Sequence, residues 1–123
     1  MTKQGRPWAV RLAATSEADF QAIIRWTTAQ FGETQARNYA NTLSAALEAL
    51  TGGPDIAGAK LREDIAKGIF TLHVARQGHR GRHFVLYRIG KDGNKNVIDL
   101  LRILHDAMDL PRHVPNDEQA WME

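Results

Sequence analysis

The sequence predicts an α+β two-layer sandwich, an antiparallel sheet packed against a helical hairpin in the order β-α-α-β-β-β. Three observations carry this expectation. Two stretches with apolar residues at helical spacing follow one another in the first half of the chain, and three β-type stretches separated by glycine turns occupy the second half. The last two β stretches, around Phe84-Val85-Leu86-Tyr87 and Ile98 to Leu104, are apolar enough to form the centre of a sheet. A sheet face of this kind is buried most directly by an amphipathic helix pair.

The elements follow in order. Trp8 to Ala13 reads as a short strand, and Thr15-Ser16-Glu17-Ala18-Asp19 supplies a helix start with a hydroxyl N-cap and acids in the first turn. Phe20, Ile23, Ile24, Thr27 and Phe31 share one helical face up to Gly32. Ala36, Tyr39, Ala40, Leu43, Leu47 and Leu50 repeat that period until Gly52-Gly53-Pro54 stops it. Residues 54–68 read as a connection with one helical turn at Leu61 to Ala66. Gly68 to Ala75 is the next strand, Gln77 to Gly81 a turn, and Arg82 to Arg88 a strand that the Lys91-Asp92-Gly93-Asn94 turn joins to the closing strand from Ile98.

A chain of 123 residues with 43% hydrophobic side chains suits one domain, with a core over about 8–114 and an irregular tail over 115–123 carrying Trp121 and Met122. It has no cysteine and no apolar run of the roughly 20 residues that a membrane helix needs. A cytoplasmic protein without a membrane partner is the expectation. Charge is unevenly spread: residues 60–102 hold ten basic and four acidic side chains, whereas 103–123 hold one and five. The basic sheet suits nucleic acid or an acidic protein, although arginines solvating the edges of a small sheet are the plainer account of the same charges.

The closing segment is similar to that of ParE-type toxins of the RelE/ParE toxin-antitoxin superfamily, on Arg102-Ile103-Leu104-His105, Met108-Asp109-Leu110, and Arg112 with His113. Trp26-Thr27, Phe31-Gly32-Glu33, Gln35-Ala36, Tyr39, Leu47 to Leu50 before Gly53-Pro54, and Gly68 to Leu72 extend the resemblance over about residues 8–114. What the resemblance implies is a type II toxin of the plasmid stabilisation kind. Such a toxin inhibits DNA gyrase and is neutralised by a ParD-like antitoxin that wraps a C-terminal segment around it in a hetero-oligomer. The alternative in the superfamily is a ribosome-dependent mRNA interferase of the RelE kind. Aligned on the strands, the lysines of such an enzyme fall at Thr71 and His73, its arginine falls at Phe84, and its late tyrosine has no counterpart, the only tyrosines being Tyr39 and Tyr87. These departures favour a gyrase-binding toxin over a ribonuclease.

No catalytic residue is therefore assigned, and no cofactor is expected. The five histidines, His73, His79, His83, His105 and His113, show no metal-binding spacing, and Gly78 and Gly81 read as turn residues. Candidates for contact with a partner or target are Ile23 and Trp26 on the first helix, and Arg82 and Arg88, whose even spacing puts them on one strand face. Arg102 and His105 in the closing strand complete the set, three residues apart and so on opposite faces. His105 with Asp106 suits pinning the chain as it leaves the sheet. Arg102, flanked by Leu100, Leu101, Ile103 and Leu104, needs a carboxylate or the sheet edge, and strand alternation sends Asp106 to its face and Asp99 to the other.

Overall fold

The computed structural model describes residues 7–113, so the expected irregular tail and the first six residues fall outside them. The elements are β1 (Val10–Leu12), α1 (Ala14–Phe31), α2 (Glu33–Ala49), β2 (Lys60–Leu61), β3 (Phe70–His73), β4 (His83–Asp92) and β5 (Lys95–His105), with 3-10 turns at Leu50–Gly52 and Leu110–His113. The strands form one sheet in the order β1-β5-β4-β3-β2. The apolar hairpin β4–β5 does sit inside it.

Two features differ from the sequence expectation. The sheet is mixed, because β1 runs parallel to β5 with Val10 opposite Ile98, while the other pairs are antiparallel. Side-chain alternation marks which residues face the core but carries no information on strand direction. The second difference is β2, whose Lys60 and Leu61 pair with Thr71 and Phe70, so that Leu61 belongs to a strand and not to the helical turn expected over Leu61 to Ala66. Two residues are too few to show a period. The turn follows directly after β2, with the Arg62 carbonyl accepting Ile65 N–H at 3.0 Å and Ala66 N–H at 3.4 Å.

Gly32 joins the helices. At φ 93° it donates to the Thr28 carbonyl, closing α1, and its own carbonyl accepts Ala36 N–H, opening α2. A side chain at that φ would be strained, which is why glycine holds the corner. The expected hydroxyl cap of α1 is not formed: the helix starts at Ala14, and Ala13 takes the cap position without a side-chain bond. Thr15 and Asp19 have different work. β1 ends at Leu12, so the outer edge of β5 beyond Leu100 lacks a strand neighbour. Thr15 Oγ1 donates to the Leu101 carbonyl and the Asp19 carboxylate accepts Ile103 N–H, so α1 covers this edge with side chains.

A one-residue bulge divides the core. The β4–β5 register passes from Leu86 opposite Arg102 to Tyr87 opposite Leu100, leaving Leu101 without a partner on β4. Ile98, Leu100 and Ile103 can therefore all point towards the helices, where they meet Leu43, Ala46, Leu50, Val85 and Tyr87. Leu101 and Leu104 point the other way and join Ile65, Ile69, Leu86 and Leu110, which close the second face. Each fully buried side chain of this size contributes about 1.5–3 kcal/mol.

Candidate partner-binding groove

The C-terminal half of α1, the N-terminal half of α2, the β3–β4 loop and the adjoining ends of β4 and β5 enclose an open groove of about 780 Å³. Its apolar end is made by Trp26 and Phe31, whose rings meet edge to face at 5.8 Å. They are 59% and 63% exposed, and they are the two most exposed large hydrophobic residues among those described. Phe31 thus leaves the core-facing stripe that its spacing suggested. The groove's other end is basic, with His79, Arg80, Arg82, His83 and His105, and none of the lining residues is acidic.

The floor is a polar network anchored on Tyr39. Its hydroxyl accepts the Arg82 backbone N–H at 3.1 Å and shares a hydrogen bond of 2.6 Å with His83 Nδ1. Burial raises the phenol's pKa above its ordinary value, and burial, followed by the neighbouring His105, lowers that of His83 to about 4. Neither shift makes an activated nucleophile, because a weakly basic imidazole cannot take the proton of a phenol harder to ionise than usual. Gly81 lets the loop come this close: a Cβ there would lie 2.6 Å from Val74 Cγ2 and 2.8 Å from the Tyr39 hydroxyl. This glycine is a close-approach residue more than a turn residue.

Beside the floor, Asp106 accepts His73 Nε2–H at 2.9 Å and Arg82 Nε–H at 3.2 Å. Arg82 and then His73 hold its carboxyl down at about 2. His73 Nδ1 accepts Ala75 N–H, so its proton is fixed on Nε2, facing the carboxylate. His105 Nδ1 accepts Ala107 N–H and so pins the chain as it leaves β5. Its ring lies 5.3 Å from that of His83 at 78°.

The structure gathers three of the sequence candidates, Trp26, Arg82 and His105, in this groove and separates the rest. Ile23 packs against the helix-side core, because the face of α1 that carries it is turned to the sheet. Arg88 lies opposite Asp99 on the β4–β5 ladder, six residues and about 20 Å of extended strand from Arg82, so the two arginines do not form one site. Arg102 binds the Asp19 carboxylate through Nε at 2.8 Å and Nη2 at 3.0 Å, and Nη1 donates to the His113 carbonyl. Neither aspartate near it in sequence is its partner: Asp99 binds Arg11, and Asp106 binds Arg82 and His73. The bulge and the helix that lies against this edge decide the pairing. Sequence reasoning missed His83, Arg80 and the role of Tyr39, and the only signal for them was the crowded glycine turn before His83.

On the other side of the sheet, Thr71 is buried and Phe84 packs on the second cluster. Among the described residues no group of three or more His, Cys, Asp or Glu side chains is placed to hold a metal ion, and no helix is long and apolar enough to cross a membrane.

Solved structures share this fold, a helical hairpin laid over a mixed sheet with β4 and β5 inside it. One is the chromosomal ParDE TA system from P. aeruginosa, with a TM-score of 0.64 and 18% identity over 82% of this chain and 98% of that one. Another is the YoeB/ParE toxin from Agrobacterium tumefaciens, with a TM-score of 0.53 and 12% identity over 79% and 96% of the two chains. Residues 10–110 match the family described as ParE toxin of type II toxin-antitoxin system, parDE, and the chain belongs to that family. Similar proteins include Toxin ParE1 of Caulobacter vibrioides, 27% identical over 85% of this chain and 95% of that toxin. Toxin ParE of Escherichia coli is 29% identical over 80% of this chain and 85% of that toxin.

Proposed function

We propose that this ParE-family toxin works by binding rather than by cleavage, with DNA gyrase in the cytoplasm as its target and a ParD-like antitoxin as the partner that neutralises it in a hetero-oligomer. The observation that carries the reading is the groove: two exposed aromatic rings at one end, a cluster of arginine and histidine at the other, and no acid in its lining. Such a surface suits an amphipathic segment of a partner whose apolar residues cover Trp26 and Phe31. Arg82 and His105 are its polar contacts. Arg102 and Ile23 support the fold beneath it.

The test is a supercoiling assay with purified gyrase and intact toxin. Toxin should inhibit supercoiling, the co-expressed neighbouring small protein should restore it, and Trp26→Ala should weaken the restoration at unchanged melting temperature. Codon-positioned cleavage of ribosome-bound mRNA, with gyrase unaffected, would show the chain to be an interferase instead.

A further inference from the structure

We propose that the basic end of the groove is a carboxylate receptor, in which His83 and His105 together with Arg80 receive an aspartate or glutamate side chain of the antitoxin segment. The proposal rests on the reading that this groove is the antitoxin's seat, and it names the chemistry that the antitoxin must bring there.

The hydrogen bonds assign the imidazole protons. A backbone N–H can only donate, so the bond from Ala107 N–H makes His105 Nδ1 an acceptor and leaves the ring proton on Nε2. The Tyr39 hydroxyl accepts Arg82 N–H and lies 2.6 Å from His83 Nδ1; we assign the phenol as the donor there, which puts the His83 proton on Nε2 as well. Two rings 5.3 Å apart, both lining the groove, thus each keep an N–H donor that no neighbouring side chain accepts in the bonds just described. Donors without acceptors, at the end of a groove lined by no acid, suit a ligand that only accepts. An ionised carboxylate with two oxygens fits that description.

The charges around the pair point the same way. Arg80 lines the groove, and Arg82 is held by Asp106. Asp106 is also bound by His73, so the acid beside His105 is already engaged, and it is not among the groove's lining residues. His105 Nδ1 lies 3.6 Å from Asp106 Oδ1, but with Nδ1 accepting from Ala107 this approach is not a hydrogen bond. An incoming carboxylate therefore meets donors and positive charge without a competing acid in the groove. The aromatic end beside it selects for protein over nucleic acid, because Trp26 and Phe31 meet edge to face and present no open pair of parallel faces for successive bases.

The experiment uses the full-length toxin and the small protein encoded beside it, measured by calorimetry, with Trp26→Ala, His105→Ala and each Asp→Asn or Glu→Gln change in the small protein. His105 is the variant of choice because its side chain is 43% exposed and its loss leaves Tyr39 and His83 in place. One acid-to-amide change in the small protein should weaken binding about tenfold, the loss of one charge-assisted hydrogen bond. That change and His105→Ala together should cost little more than either alone, which marks the two as one contact. If Trp26→Ala weakens binding while His105→Ala and every amide change stay within twofold, the receptor is refuted and the groove reading stands. If Trp26→Ala also has no effect, or the small protein does not bind, the groove reading falls with it. A single-stranded RNA oligonucleotide that binds in a His105-dependent way, with the small protein's acids indifferent, would likewise overturn the proposal.

Discussion

Arg102 and Arg82 are each bound to an aspartate beside β5, yet their surroundings are opposite. Arg102 is 26% exposed, clamps Asp19 of α1 with two nitrogens and holds the His113 carbonyl with a third. Arg82 is 69% exposed and meets Asp106 at longer distances, on the rim of the groove. The first pair latches a helix to an otherwise open strand edge. The second shapes a surface that a partner can reach. The same two residue types thus tie an element to the sheet in one place and line an exposed groove in the other, and exposure separates the cases.

The largest expected effect breaks the latch. Arg102→Ala strands the part-buried Asp19 carboxylate and the His113 carbonyl, and should cost about 2–4 kcal/mol in urea unfolding. If the loss is under half a kcal/mol, the latch is no more than a surface pair. Gly81→Ala follows on the groove side: its Cβ would press on Val74 and the Tyr39 hydroxyl, costing about 1–3 kcal/mol. Partner affinity should fall with it. A variant as stable as the parent and binding equally well would mean that the loop can retreat freely.

The third effect is a pH slope. Folded His83 titrates near 4 against an unfolded value near 6.5, so the unfolded chain takes up the proton first as pH falls. Stability should decline from about pH 6.5 down to pH 4, by at most about 1.4 kcal/mol per pH unit. His83→Gln should flatten that window, and a parent chain that is already flat there would contradict the neutral imidazole. Arg82→Ala is the smallest. At neutral pH it should lower the melting temperature less than Arg102→Ala does, since an exposed pair contributes little. Its mark lies at low pH. Asp106, held at about 2 in the folded chain against 3.8 as the ordinary value, contributes stability above pH 3.8 that is lost as pH falls towards 2, and this loss should shrink without Arg82.

Much of the fold was legible because apolar spacing reports burial directly. Ile24 and Leu43 marked the helical faces, Val85 and Leu100 marked the central strands, and glycines 32 and 93 marked the corners. What the sequence hid were relations between distant segments. Thr15 read as a cap because caps are local, whereas its hydroxyl serves a carbonyl 86 residues away. Arg102 was given neighbours in sequence as partners, and found its partner on α1. In the site, Trp26, Arg82 and His105 were legible as exposed or charged side chains. Ile23 was misplaced because it belongs to the core-facing stripe, and His83 was missed because its meaning comes from Tyr39 on another element.

The cover that α1 gives to β5 has a consequence for the order in which the molecule can be made. Asp19 and Arg102 are 83 residues apart in the chain, and β1, also near the start, has its ladder partner in β5. At synthesis rates of about 5–20 residues per second, roughly 4–17 s pass between the appearance of Asp19 and that of its partner. During this interval β1 has no ladder partner and Asp19 no arginine, although α1 can already pack on α2, and contacts of such long range also slow the final search. The nascent chain therefore cannot carry the finished groove until its closing strand has been translated.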